Sequence, residues 1–372
     1  MTRVPLSVLD LAHIPSGTDP RPALRAVPRR ARLAESLGYR RYWIAEHHFS
    51  AGLASPSPAV LISAVAAATT TIRVGSGAIL TGHRTALSIA EDFCTLDALY
   101  DGRIDLGLGR SAGRGRTTRE QAPGGERPVA RTVEGVVIPA PYDRSAITAS
   151  PRALRQRELL QQPGAQALPY PDQVAAILGF LADRYRFDDG TPASAFPGGA
   201  PGVPVWALGS SGGESARLAG QLGLPFAADY HMNPGQVLDA AGAYRQAFHP
   251  GPEHRWPYLA VAADVYVAET AVHAREVAAQ RAEWVRRQRS GGGLTAYPTT
   301  DEAVAHQWTD AELELVADRT STHIAGVPEV VVERLAALQR LTGAAELIVT
   351  MAAHDSDDVD SSLRLLAEAW HS

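Results

Sequence analysis

Apolar residues gather in eight short runs along the chain: Leu6–Leu9, Tyr42–Ala45, Ile72–Leu80, Ile104–Leu108, Val203–Leu208, Phe226–Ala228, Val261–Val267 and Leu347–Met351. None alternates strictly between apolar and polar residues, which is the pattern of parallel strands covered on both faces. Between the runs the period lengthens to that of helices. Asp19-Pro20 and Pro22 open a stretch in which Leu24, Val27, Ala31, Ala34 and Leu37 share one face, and Gly38 follows its end. Ser57-Pro58 opens a second stretch that runs to Ala68. A third spans Thr85 to Tyr100, closes at Asp101-Gly102 and leads straight into the run at Ile104. Strand, helix, strand in repeated succession predicts an α/β protein with a parallel sheet. Eight strands in that cadence favour a closed (β/α)8 TIM barrel over an open doubly wound sheet, in a single domain covering residues 1–372.

Two segments break the cadence. Residues 113–170 are rich in Gly, Arg and Pro with little periodicity, and residues 285–325 hold Ser290-Gly291-Gly292-Gly293 and a polar, helix-like stretch. Both are expected as insertions at the C-terminal face of the barrel. They serve either as walls of a substrate pocket or as plain surface additions.

Composition narrows the chemistry. The 35 basic residues are all arginine, which removes Schiff-base chemistry, pyridoxal phosphate and a phosphate-binding lysine. A net charge of −5 with the arginines scattered gives no electrostatic footprint for nucleic acid or an anionic membrane. Cys94, the single cysteine, sits in the helical pattern Ile89-Ala90-Phe93-Cys94-Leu96 as a small buried hydrophobe. The first residues carry no basic region followed by an apolar core, and no apolar run approaches the roughly 18 residues of a membrane span. A reducing, cytoplasmic location is expected.

In a TIM barrel, function sits at the C-terminal ends of the strands. Those ends carry Asp10 with His13, Glu46-His47-His48, Gly77-Ala78, Arg110-Ser111, Gly209-Ser210-Ser211, Asp229 with His231, and Thr350 with His354. Adjacent histidines at the end of an extended run point to opposite sides and cannot readily share a metal, and no HExxH-type spacing occurs. On spacing alone, His47 and His48 fit a general base and a satisfied structural imidazole equally. Gly209-Ser210-Ser211-Gly212-Gly213-Glu214-Ser215 follows a strand and opens a helix, so its backbone N–H groups and hydroxyls suit a phosphate; an ordinary tight βα turn is the alternative. Glu214 would repel a phosphate and is expected to point outward. Gly107-Leu108-Gly109-Arg110-Ser111-Ala112 imitates a dinucleotide fingerprint, but a Pro- and Arg-rich loop follows where a Rossmann unit needs a helix. Its glycines, like Gly75 and Gly77, are expected to leave space for a flat ligand, with Arg110 reaching that ligand's polar atoms or simply solvated. Glu91, on the third helix, is either exposed or paired with an arginine.

These residues resemble the bacterial luciferase-like flavin monooxygenases, and within them the branch of natural-product tailoring oxygenases. The resemblance runs through Leu6-Ser7-Val8-Leu9-Asp10-Leu11, Gly38 to His48, Ile72 to Ala78, Ala90-Glu91-Asp92-Phe93, Leu96-Asp97, Gly102 to Arg110 and Ala207 to Gly212. It continues in Gly223-Leu224-Pro225-Phe226, Ala268-Glu269-Thr270 and Gly326-Val327-Pro328-Glu329. It implies a TIM barrel whose mouth holds reduced FMN from a separate flavin reductase, or the deazaflavin F420 in some branches. With FMN, O2 and a C4a-hydroperoxyflavin would oxygenate a small secondary-metabolite intermediate by hydroxylation, epoxidation or Baeyer–Villiger insertion. The resemblance makes His47 the catalytic imidazole, Glu46 its hydrogen-bonding neighbour and Gly77-Ala78 a non-prolyl cis peptide beneath the ring. Arg110 would contact the phosphate or ribityl chain, and Ser210, Ser211 and Gly212 would form a phosphate loop here lengthened through Gly213 and Glu214 towards Ser215. A homodimer through the early helices, with Glu91 at the interface, is also implied. The chain departs from the pattern at Thr81-Gly82-His83-Arg84-Thr85-Ala86 and most of all across residues 113–169. An F420-dependent hydride-transfer enzyme and a non-catalytic flavin-binding barrel are the rivals; His48 and His83 have no assigned role.

Overall fold

Residues 3–110, 129–166, 168–251 and 253–372 are described by a computed structural model, and in it each of the eight apolar runs contributes one strand to a ring of eight parallel strands, the third run only through its first part. The strands are β1 (Leu6–Asp10), β2 (Arg41–Ile44), β3 (Arg73–Ser76), β4 (Ile104–Gly109), β5 (Val205–Gly209), β6 (Phe226–Asp229), β7 (Leu259–Val267) and β8 (Glu346–Thr350). Neighbours in chain order pair, and β8 returns to β1 with Leu347 opposite Leu6. The closure predicted from the cadence is therefore observed, and it leaves the ring without an edge. Eight helices cover the outside: α1 (Pro20–Ser36), α2 (Pro58–Ala68), α3 (Ala86–Leu99), α4 (Tyr170–Leu181), α5 (Glu214–Gln221), α6 (Val237–Ala247), α7 (Pro328–Thr342) and α8 (Ser356–His371). The expected start of α1 is met, with the Asp19 carboxylate accepting the Arg21 N–H at 2.8 Å and Pro20 in the first turn.

Side chains alternate between two cores because successive Cβ atoms on a strand point to opposite faces. Val8, Tyr42, Ile44, Val74 and Leu106 face outward and pack with Val27, Ile62, Ile89 and Phe93 of the first three helices. Leu9, Trp43, Trp206, Ala260 and Ile348 face inward and fill the ring, with Trp43 and Trp206 edge to face at 5.0 Å. Near the N-terminal ends of the strands the interior is charged: Arg41 lies 2.6 Å from Asp105 and 3.1 Å from Glu346. Ser7 and Tyr258 also donate to Glu346, and Trp43 Nε1 and Arg73 donate to Asp105. Buried charges of this kind persist only when paired and hydrogen-bonded.

The third apolar run is not one strand. After β3 the chain passes through a cis Gly77–Ala78 peptide and resumes as Ile79–Leu80, pairing with Leu108 and Gly109 of β4. Gly75 and Gly107 do not make room for a ligand, as the sequence suggested. A Cβ on Gly75 would lie 2.3 Å from the Asp105 carbonyl oxygen, and one on Gly107 would lie 2.1 Å from that of Ser76. The space belongs to the neighbouring strand.

The two insertions differ in kind. The described part of residues 113–170 holds a hairpin, Arg131–Val133 with Val136–Ile138, and the helices Ser145–Thr148 and Pro151–Leu160; Ser111, Ala112 and the rest of 111–128 lie outside the described residues. Residues 285–325 are mostly helical. Helix Ala271–Arg287 runs into them, and Thr300–Ala305 and Asp310–Thr320 each begin with a capping box, Thr299 with Glu302 and Thr309 with Glu312. No described helix is long and apolar enough to cross a membrane.

Candidate active site at the mouth of the barrel

Beyond β2 the chain turns through Ala45-Glu46-His47-His48, fixed by the Ala45 N–H on the Asp10 carbonyl and the His47 N–H on the Ser55 carbonyl, both at 3.1 Å. Burial above all, with His231 and His48 adding repulsion, pushes the His47 imidazole down to about 4. Its Nδ1 is buried with no bonded partner. A neutral imidazole with an uncommitted nitrogen can take up and return a proton. His48 diverges from His47, and Glu46 goes with it. Glu46 was expected beside His47, yet its Oε1 lies 2.6 Å from His48 Nε2 and its Oε2 accepts the Leu80 N–H at 2.8 Å. The His83 ring stands edge-on to His48 at 6.0 Å, held low chiefly by burial, and its Nδ1 also has no partner.

The Glu46–Leu80 bond ties the histidine turn to the segment that follows Gly77–Ala78. On the other side, the Gly77 N–H donates to the Ile44 carbonyl at 2.8 Å. A Cβ on Gly77 would lie 2.8 Å from Leu9 Cδ1 and 3.2 Å from the Trp43 ring, so the cis peptide rests on the inner core.

At the end of β5 the helix begins one residue earlier than expected, at Glu214, with Gly213 as its cap. The Ser210 carbonyl accepts from Asn233 at 2.7 Å and the Gly212 carbonyl from Arg217 at 2.6 Å, which fixes the loop. A Cβ on Gly213 would stand 3.1 Å from Ser211 Oγ and 3.6 Å from Arg110 Nη2, so this glycine keeps open a cradle bounded by a hydroxyl, a guanidinium and a helix N-terminus. Ser215 is buried beneath the loop. Glu214 is exposed, as expected, but it reaches across to Arg110 at 3.0 Å. A phosphate fits this donor set, and it would have to displace that carboxylate from Arg110.

The other strand ends divide unevenly. Asp10 faces the helices, bonded to Tyr42, Arg30 and the Ala12 N–H, and His354 Nε2 lies 3.0 Å from the Ser16 carbonyl. His13 and His231 do face the mouth, and they line a narrow cleft with Asp264, Arg281, Arg319 and His323. The latter four were missed. Asp264 had a signal, as the single carboxylate inside the apolar run Leu259–Val267. Arg281 and Arg319 had none, because they arrive on helices that the sequence placed only loosely. Burial first of all pushes His13 down to about 3 and His323 to about 4. Burial works the same way on His231, but the Asp229 carboxylate 2.9 Å from its Nδ1 outweighs it and the net shift is upward.

The C-terminal face of the closed (β/α)8 barrel thus brings together a buried histidine and an anion cradle. The chain belongs to the luciferase-like monooxygenase family, which matches residues 4–345. It is 34% identical over 347 residues to a luciferase-like monooxygenase of Escherichia coli (strain K12), covering 93% of this chain and 91% of that protein. Apo-MsnO8 has a similar structure, with a TM-score of 0.78 and 32% identity over 99% of this chain and 98% of that one. The fold alone is shared with the oxygenating constituent of 3,6-diketocamphane monooxygenase of Pseudomonas putida in complex with FMN, at TM-score 0.64 and 20% identity over 98% and 97% of the chains. The same holds for an F420-dependent secondary alcohol dehydrogenase, at 0.61 and 13% over 99% and 98%. Structural neighbours thus bind FMN or F420.

Proposed function

We propose that the chain is a monooxygenase that uses reduced FMN, delivered by a separate reductase, to insert one atom of O2 into a small organic substrate of secondary metabolism. The balance is substrate, O2 and reduced FMN in, and oxygenated substrate, oxidised FMN and water out. The observation that carries this reading is His47, a neutral imidazole with a free Nδ1 on a turn tethered through Glu46 to the Gly77–Leu80 segment.

Bound reduced FMN would supply the electrons that activate O2. Arg110, Ser210, Ser211, Gly212, Gly213 and the first turn of α5, which includes Ser215, would hold its phosphate, and Gly77-Ala78 would lie beneath its ring. His47 takes a proton at Nδ1 and returns it as the oxygen atom is transferred. Glu46 is a positioning residue that holds His48 on one side and the Leu80 backbone on the other. The helix Pro151–Leu160 closes on the same turn: Gln156 donates to the His48 carbonyl at 3.2 Å, and the Arg152 guanidinium covers the Phe49 ring at 4.5 Å. That contact supports the wall role of the first insertion and the exclusion of water from the mouth. A homodimer through α2 and α3, with Glu91 at the interface, is consistent with the exposed Val60 and Leu99 there.

The test mixes the chain with reduced FMN and O2 and follows the flavin by stopped-flow absorbance. Wild type is expected to bind FMN and, with a substrate, to give product; His47→Ala is expected to bind FMN equally and give none. Normal product from His47→Ala would take His47 out of the mechanism. Turnover with F420 under anaerobic conditions, and none with FMN, would replace the oxygenase by a hydride-transfer enzyme.

A further inference from the structure

The mouth divides into two arcs. Gly77-Ala78 follows β3, Arg110 follows β4 and the Ser210–Ser215 loop follows β5, so the proposed cofactor groups occupy one side of the ring. The narrow cleft is built from the other side, with His231 after β6, Asp264 on β7, Thr350 on β8 and His13 after β1. Arg281, on helix Ala271–Arg287, and Arg319, on helix Asp310–Thr320, complete its lining.

Charge in that cleft does not balance. Arg281 and Arg319 both donate to Asp264 Oδ2, Arg319 at 3.1 Å, so two cations share one carboxylate. The Arg319 side chain is 2% exposed. One Nη1 hydrogen goes to the thioether sulfur of Met232 at 3.3 Å, a weak acceptor, and the Nε–H has no acceptor at all. Among the lining groups, His13 and His323 carry no negative charge that could offset the excess, and His231 is already taken by Asp229. A buried cation with an open donor is costly unless a ligand completes it.

We propose that the Arg281–Asp264–Arg319 cleft is a subsite for the carboxylate of an acidic substrate. One unbalanced positive charge calls for a monoanion, and the planar edge of Arg319 matches a planar carboxylate. The cleft is narrow, so it takes the end of the molecule, and two of its lining imidazoles, His231 and His13, are near enough to His47 to interact with it electrostatically. The role of the subsite in substrate recognition rests on the oxygenase reading; its affinity for a carboxylate does not.

Isothermal titration of the full chain with butyrate and with uncharged butyramide tests this, alongside FMN binding followed by flavin fluorescence. Butyrate is expected to bind wild type and butyramide far less; Arg319→Gln should weaken butyrate at least about tenfold and leave FMN affinity unchanged. If Arg319→Gln does not fold, Arg319→Lys keeps the charge beside Asp264 but lacks the Nε–H, and the same loss is expected. Equal butyrate binding by the variants, or none by wild type, overturns the proposal. Loss of FMN binding in the variants overturns it too, because the cleft would then belong to the cofactor. A chain that binds butyrate through Arg319 but binds no flavin keeps the subsite and removes the oxygenase reading; one that oxygenates with FMN and ignores butyrate does the reverse.

Discussion

At the residue scale, the two adjacent imidazoles beyond β2 differ in what holds them: His48 is bonded to the Glu46 carboxylate, while the buried His47 Nδ1 has no partner. Glu46 thus stays with His48 and leaves His47 without a carboxylate partner. The distinction matters chemically, because a carboxylate bonded to His47 would raise its proton affinity, whereas burial beside His48 and His231 lowers it to about 4. His47 is therefore neutral, and able to accept a proton, at every pH above that value. Product formation with reduced FMN is expected to stay level from pH 8 down to about 5 and then fall along an acid limb centred near 4. A pH profile of single-turnover product yield checks this. A limb centred between 6 and 7 would mean that His47 is not the titrating base or is not buried when the cofactor is bound.

At the element scale, period and punctuation were good guides where a segment packs on its own neighbours. Seven of the eight strands and the first three helices fall close to their expected limits because each buries one stripe or both faces, whereas the third run is split after Ser76. The segment 285–325 was harder, since Ser290 to Gly293 signals a loop while Thr299 with Glu302 and Thr309 with Glu312 signal helix starts just beyond it. The glycines show a different limit. Gly75 and Gly107 were assigned to ligand space, but their contacts lie between adjacent strands, and no pattern within one strand reveals how closely the next approaches. Gly75→Ala would force Asp105, which Arg41 and Arg73 hold, away from the new methyl group. Overpacking of this kind costs about 1–3 kcal/mol. A lowered thermal midpoint is expected, with a charged floor that repacks. An unchanged midpoint would show that the two strands can separate freely.

At the scale of the whole molecule, the closed barrel was legible because eight strands in one cadence admit few arrangements, whereas the division of the mouth into two arcs was not. It depends on which groups meet across the ring, among them Arg281 and Arg319 from helices remote in sequence. The same assembly buries imidazoles. His13, His47 and His323 are held at about 3, 4 and 4 in the folded chain, against about 6.5 when unfolded. The unfolded chain therefore binds up to three more protons as pH falls from about 6.5 to about 4, and stability must drop through that window while being insensitive to these groups above it. Each proton contributes up to about 1.4 kcal/mol per pH unit. His231, shifted upward, works in the opposite sense: its contribution is complete below its unfolded value and fades as pH rises through the folded one. Between pH 5 and 7 most carboxylates are ionised in both states, so the histidines dominate the slope. Unfolding free energies measured by denaturant titration across that range should fall with acidity, and His323→Gln should reduce the proton uptake on unfolding by about one. A slope unaltered by His323→Gln would mean that this imidazole is protonated in the folded chain, and that the cleft beside Arg319 is open enough to solvate it.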